Sequence, residues 1–178
     1  LPGLPHLGLT HRAAWIEAAD YKKKWEKYWD ENDAWEKKKG DKKDAAKDGD
    51  DKAPEAPSRD LKLETLAAAL NGDITVNMHC YRADEMAQVI DMSKEFGYKV
   101  ATFHHAVEAY KIADLLAQNG ICAAVWADWW GFKLEAYDSV RENAALVDVQ
   151  PSSCAIIHSD DEYGIQRLNQ EAGKAMAD

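Results

Sequence analysis

The sequence predicts an α/β fold with a parallel sheet, assembled from consecutive strand–helix units. Three observations predict it. Beyond residue 59, four short apolar runs alternate with helix-patterned runs of about 10 to 15 residues, the signature of βα units. Two of the helical runs close on a glycine, Gly97 and Gly120, where a chain leaving a helix needs a left-handed residue. Each of the four strand-like runs also ends in a side chain able to bind metal or move protons. Four βα units make half of a barrel or a small doubly wound sheet.

Residues 1 to about 12 (LPGLPHLGLTHR) carry two Pro and two Gly and read as a loop leading into a helix. From 13 to about 39, Trp15, Ala18, Tyr21, Trp25, Tyr28 and Trp29 recur at spacings of three and four between Lys/Glu faces, which predicts an amphipathic helix. The stretch Gly40 to Ser58 is poor in apolar residues and rich in charge, Gly and Pro. It reads as a flexible linker, because burial there cannot offset the entropy of ordering. Residues 59–178 carry the strand–helix units. The first strand is Ile74–Cys80, followed by a helix from about Ala83 to Phe96 with Met86, Val89, Ile90 and Ser93 inward. The second is Lys99–His105, then a helix from about Val107 to Gln118. The third is Ile121–Asp128, then a helix near Ala136–Val147. The fourth is Ser153–Asp160, then a helix from about Ile165 to Ala177.

Charge narrows the partners. The formal net charge is -10, which argues against a phosphate-binding surface and hence against nucleic acid. The Lys-rich stretch from Tyr21 to Lys52 does not reverse this, since its eleven Lys face ten acidic residues. Its aromatic stripe suits a packed helix or one that pairs with a second copy in a homo-oligomer. No apolar run approaches the roughly 20 residues of a membrane helix, so no membrane partner is expected. No signal peptide is visible, and the compartment stays open. Cys80, Cys122 and Cys154 are odd in number, lie in apolar runs and lack Cys-x-x-Cys spacing, so the expectation is reduced core thiols. At 178 residues the chain suits one domain but is short of the roughly 250 that a complete (β/α)₈ barrel needs. It starts at Leu1 rather than Met, and we read it as a piece of something longer.

The chemistry is expected at the strand ends. His79 closes the first strand, His104 and His105 the second, Asp128 the third and Asp160 the fourth. In parallel α/β folds the carboxyl edge of the sheet is the ligand face. Histidine offers neutral nitrogen and aspartate anionic oxygen to a borderline cation such as zinc. Taken singly, a strand-end His is more often a core residue and an Asp a helix N-cap. The expectation rests on their joint placement. Tyr81 and Arg82 follow His79 and could hold a substrate carboxylate, or Arg82 could pair with Asp84 or Glu85. Trp129, in the aromatic loop Asp128-Trp129-Trp130-Gly131-Phe132, could stack on a substrate. Asp161 and Glu162 form a second acidic group or start the last helix.

The runs MHCYRADEM (Met78–Met86), FHHAVEAYKIADLL (Phe103–Leu116) and AIIHSDDE (Ala155–Glu162) resemble the second half of the amidohydrolase superfamily barrel. The likeness is strongest to its imidazolonepropionase-like and prolidase-like branch, and covers roughly residues 60 to 178. It implies a partial TIM-type (β/α)₈ barrel of about strands five to eight, with the charged aromatic helix and linker before it. It implies His79, His105 and Asp160 as metal ligands, with His105 and Asp160 also catalytic. His105 is preferred to His104 because the family's ligand His precedes a small residue, here Ala106. The implied cofactor is a divalent metal, zinc above others. The implied activity is hydrolysis of a C–N bond in a small-molecule cyclic amide or peptide-like substrate by metal-activated water. A non-catalytic module derived from such a barrel is the alternative. The sequence departs from the family in holding no His-x-His pair, no match for the bridging Lys and no flanking β-sandwich. Those parts are expected in a missing N-terminal half of the barrel, and the chain alone is expected to be inactive.

Overall fold

A computed structural model of the chain describes residues 4–41, 52–127 and 133–177. They fall into two compact units, Leu1–Asp73 and Ile74–Asp178.

In the first unit, α1 runs over Leu4–Asp41 and α2 over Leu61–Asn71. The loop expected before residue 13 is helical from Leu4; Pro5 lies in the first turn, where its missing N–H is no loss. Trp15, Ala18 and Tyr21 form the buried stripe that the three-residue spacing predicted. The sequence reading missed α2, although both its ends are signposted. Asp60 accepts hydrogen bonds from Lys62 N (2.9 Å) and Leu63 N (3.0 Å), and Gly72 closes the helix at φ 81°. The Tyr21 hydroxyl donates to Glu64 Oε1 at 3.1 Å, joining α1 to α2. Of the expected linker, Gly40 and Asp41 end α1 and residues 52–58 lack regular structure, while 42–51 lie outside the described residues.

The second unit holds β1 (Val76–His79), α3 (Ala83–Phe96), β2 (Val100–His104), α4 (Ala113–Asn119), β3 (Cys122–Val125), α5 (Asn143–Asp148), β4 (Ala155–Ile157) and α6 (Leu168–Ala177). The strands form one four-stranded parallel sheet in the order β1-β2-β3-β4. This is the βα succession expected from the sequence, with each strand shorter than predicted. The helices after β2, β3 and β4 open as short 3-10 turns (Ala109–Ile112, Leu134–Ala136, Ile165–Arg167), so the α-helical parts start later than predicted. Gly97 and Gly120 close α3 and α4 at φ 82° and 64°. Phe103, Met86, Ile90, Leu116, Val107, Val125 and Val147 are fully buried in this unit's core, and Trp126 is nearly so. On α3, Met92 rather than Ser93 completes the buried face.

The expectation of three reduced thiols is corrected: Cys122 and Cys154 form a disulfide, and Cys80 alone stays a buried thiol. The reason is register. Ala123 pairs with Ala155, so the residues just before them oppose each other across neighbouring strands, with Cα atoms 4.5 Å apart. A separation of 32 residues in sequence hides that proximity.

Candidate metal centre

The carboxyl edge of the sheet gathers four histidines. His79 is the last residue of β1 and His104 the last of β2. His105, one step past β2, takes a left-handed backbone (φ 58°), rare for a residue with a Cβ. The residue is buried, at 4% exposure. Asn143, itself only 1% exposed, fixes the segment that follows: its Oδ1 accepts from Tyr110 N (2.9 Å) and its Nδ2 donates to Ala106 O (3.0 Å). Glu108 secures the neighbouring loop, accepting from Ala83 N at 2.9 Å at the start of α3.

His105 is the hub. Its Nε2 lies 2.5 Å from His79 Nδ1, and its Nδ1 lies 2.9 Å from Asp160 Oδ2. The approach to Asp160 is off the hydrogen-bond line, so Nδ1 is buried without a hydrogen-bond partner. His158 Nε2 faces His105 N at 3.4 Å, and the two rings are 5.2 Å apart. His158 Nδ1 stands 3.6 Å from Asp160 Oδ1. One ligand atom from each of His105, His158 and Asp160 falls within 4.8 Å of the others. His79 reaches this group through His105. His104 stacks on His79 at 5.5 Å and meets the His158 ring edge-on at 5.7 Å.

Burial lowers the His105 pKa to about 4 against the opposing pull of the Asp160 charge, with the other imidazoles lowering it further. His158 is lowered as well, again mainly by burial. Both rings are therefore neutral near pH 7, the form that donates a lone pair to a cation.

His158 was not singled out as a ligand from the sequence, yet a signal existed. It precedes Asp160 by two residues, and its N–H continues the β3–β4 ladder by donating to Val125 O at 3.1 Å. Residues two apart on extended chain share a side. Asp160 lies past the end of β4 in a loop, not at the strand terminus as expected.

Of the expected substrate contacts, Tyr81 stacks on His105 (centroids 5.2 Å, planes 19° apart) and packs on the buried Val107, Trp126 and Ala136. Arg82 pairs with Asp84 through Nε–Oδ1 (3.0 Å) and Nη2–Oδ2 (3.4 Å), the second of the two arrangements weighed above. Asp128 and Trp129 lie outside the described residues. Asp161 caps the turn after the site, accepting from Gly164 N.

A parallel α/β unit with a His/Asp cluster at its carboxyl edge is the class that fold and site define. No family model matches the sequence. Over 121 residues, 66% of this chain, it is 30% identical to Amidohydrolase tasK of Hapsidospora irregularis, of which it spans 12%. The structure superposes with a TM-score of 0.61 and 25% identity on an amidohydrolase from Thermotoga maritima MSB8, covering 90% of this chain and 39% of that one. The chain is thus similar to amidohydrolases, and spans well under half the length of each of the two it matches.

Proposed function

We propose that this chain supplies the metal-binding edge of a metal-dependent amidohydrolase, with its four strands forming part of a TIM-type barrel. The observation that carries the reading is the convergence of His105, His158 and Asp160 within 4.8 Å. The donor set fits zinc: two neutral imidazoles and a carboxylate, one of the imidazole nitrogens buried without a hydrogen bond. His79, against His105 Nε2, either joins the set or orients the His105 ring.

A bound zinc would supply a polarised substrate carbonyl and a water of lowered pKa. Asp160 is half exposed, so solvent reaches its carboxylate. In this reading it takes the attacking water's proton and hands it to the leaving nitrogen of a cyclic amide or peptide-like substrate. His105 and His158 hold Asp160 in place on one side, and Tyr81 walls the other face of His105.

The test is a zinc titration of the 178-residue chain beside Asp160→Asn and His105→Ala, followed by an assay against dipeptides and cyclic amides. We expect zinc binding that both substitutions weaken, and no turnover, because no His-x-His pair is present to complete a more buried metal site. Failure of the wild-type chain to bind zinc would overturn the reading.

A further inference from the structure

We propose that the Cys122–Cys154 disulfide is a redox lock on the metal centre, holding His158 and Asp160 against His105, and that a dithiol reductant opens it. The inference concerns regulation of that same site and rests on the metal-centre reading for what is lost when the lock opens. The bond joins the first residue of β3 to the residue just before β4. His158 and Asp160 follow Cys154 on the same short segment, whereas His105 belongs to the turn after β2.

The two strands that the bond joins are held very differently. Ala123, Ala124 and Val125 of β3 are buried, none more than 2% exposed. β4 has no buried residue, its Ile156 is 40% exposed, and α6 buries none either. Among the described residues, none beyond Val147 is buried. Burial of one face is what specifies the register of a strand, so apolar packing leaves β4 weakly placed. Its position comes from its ladder to β3, which includes Ala123 N donating to Cys154 O (2.9 Å) and His158 N to Val125 O (3.1 Å), and from the disulfide. A slip of one residue would turn the His158 side chain to the other side of the sheet and draw Asp160 off His105 Nδ1, now 2.9 Å away. The covalent bond forbids that slip.

The lock is within reach of solvent, since Cys122 and Cys154 are both partly exposed. A thiolate of the dithiol attacks one of the two sulfurs, the Cys122–Cys154 bond breaks and a mixed disulfide forms. The reductant's second thiolate then displaces the protein sulfur. The dithiol leaves as a cyclic disulfide, having given up two electrons, and its two protons end on Cys122 and Cys154 as thiols. Opening the bond also frees a loop closed over 32 residues, which favours release of the segment.

The experiment compares the full chain in three forms: oxidised, reduced with dithiothreitol and freed of it without air, and Cys122→Ser/Cys154→Ser. Amide hydrogen exchange is read over residues 149–177, with α3 as internal standard, and zinc affinity by calorimetry. Exchange over 149–177 is expected to rise about tenfold in the reduced and the serine forms while α3 stays unchanged. Zinc affinity is expected to fall about tenfold in both, the loss that follows if the site is assembled one-tenth of the time, and to return on reoxidation of the reduced chain. Unchanged exchange over 149–177 overturns the lock, as does an equal rise in α3, which would make the bond a staple of the whole unit. Equal zinc affinity in the oxidised and serine forms overturns it too, as does tighter zinc binding by the reduced chain alone, which would make the freed thiols ligands. If the oxidised chain binds no zinc, the metal-centre reading falls, and the exchange arm still decides whether the bond holds β4.

Discussion

Gly164 is expected to govern the position of Asp160 from four residues away, and Gly164→Ala tests it. The backbone there is right-handed helical (φ -67°, ψ -39°), so alanine is conformationally welcome. By unfolded-state entropy alone the change would stabilise by about 0.4–1 kcal/mol. Space decides otherwise. A Cβ on Gly164 would lie 2.7 Å from Ser159 Oγ and 3.2 Å from Asp161 Oδ2. Ser159 must rotate away, and it then gives up its bond to Asp161 O (3.3 Å) and the one it accepts from Asp161 N (3.2 Å). Two hydrogen bonds at roughly 0.5–1.5 kcal/mol each exceed the entropic gain, leaving a net loss near 1 kcal/mol. For a unit of about 100 residues that lowers Tm by about 4–8 °C. Asp160 is held between the two displaced residues, so zinc affinity should fall about tenfold. Thermal melts and zinc titrations of Gly164→Ala, Ser159→Ala and the double variant measure both. In the Ser159→Ala background the 2.7 Å clash is gone and the 3.2 Å approach to Asp161 Oδ2 is left, so alanine at 164 should cost less, a coupling of about 1 kcal/mol. A higher Tm with unchanged zinc affinity in Gly164→Ala alone would refute the reasoning.

Three other outcomes are expected. His158→Ala should weaken zinc binding by more than about tenfold and His104→Ala by far less, since only His158 offers an atom to the converging set; equal losses would dismiss His158 as a ligand. Cys80 is buried and its pKa is pushed up to about 12, first by burial and then by Glu85, so at pH 8 it is a neutral thiol. Iodoacetamide should leave it unmodified in the native chain by mass spectrometry, and Cys122 and Cys154 should react only after reduction. Glu64 has its pKa lowered below the usual 4.5, chiefly by the hydrogen bond from Arg59. A depressed folded pKa contributes stability above pH 4.5 that is lost as pH falls through the folded value. Glu64→Gln should therefore flatten the acid limb of helix loss followed by circular dichroism, and an unchanged midpoint would count against the Arg59–Glu64–Tyr21 link.

The strand–helix succession was legible because each element carries a local signal: short apolar runs, a 3.6-residue apolar face on α3, glycines at Gly97 and Gly120. α2 was missed although Asp60 and Gly72 bracket it, because its alanine-rich face gives a weak amphipathic contrast. The site was legible as far as strand ends reach. What lay beyond were facts of register and of loop geometry. The Cys122–Cys154 bond depends on β3 and β4 being neighbours in step, which no local pattern states. Asn143 is remote in sequence from the residue it holds, and looks like ordinary helix-start chemistry until the fold brings it to Ala106.

His105 shows how the two levels meet. Strand alternation alone would send His104 and His105 to opposite faces, and no periodicity selects between them. The selection is made by one backbone torsion. At φ 58° a histidine pays a conformational cost that persists only where the surroundings over-determine it. Here they do: Val107 N closes a tight turn on His105 O, Ala106 N bonds Ala124 O at 3.2 Å, and Asn143 grips Ala106 O from a helix almost forty residues on. The same residue is buried, held neutral, and wedged between His79, Tyr81, His158 and Asp160. Ordinary core packing asks for none of this, since an apolar side chain on a relaxed backbone would fill the space without leaving a buried nitrogen unbonded. A left-handed backbone, burial and a neutral ring facing a carboxylate at 2.9 Å suit a site for a cation, and they coincide at the residue from which the cluster is built.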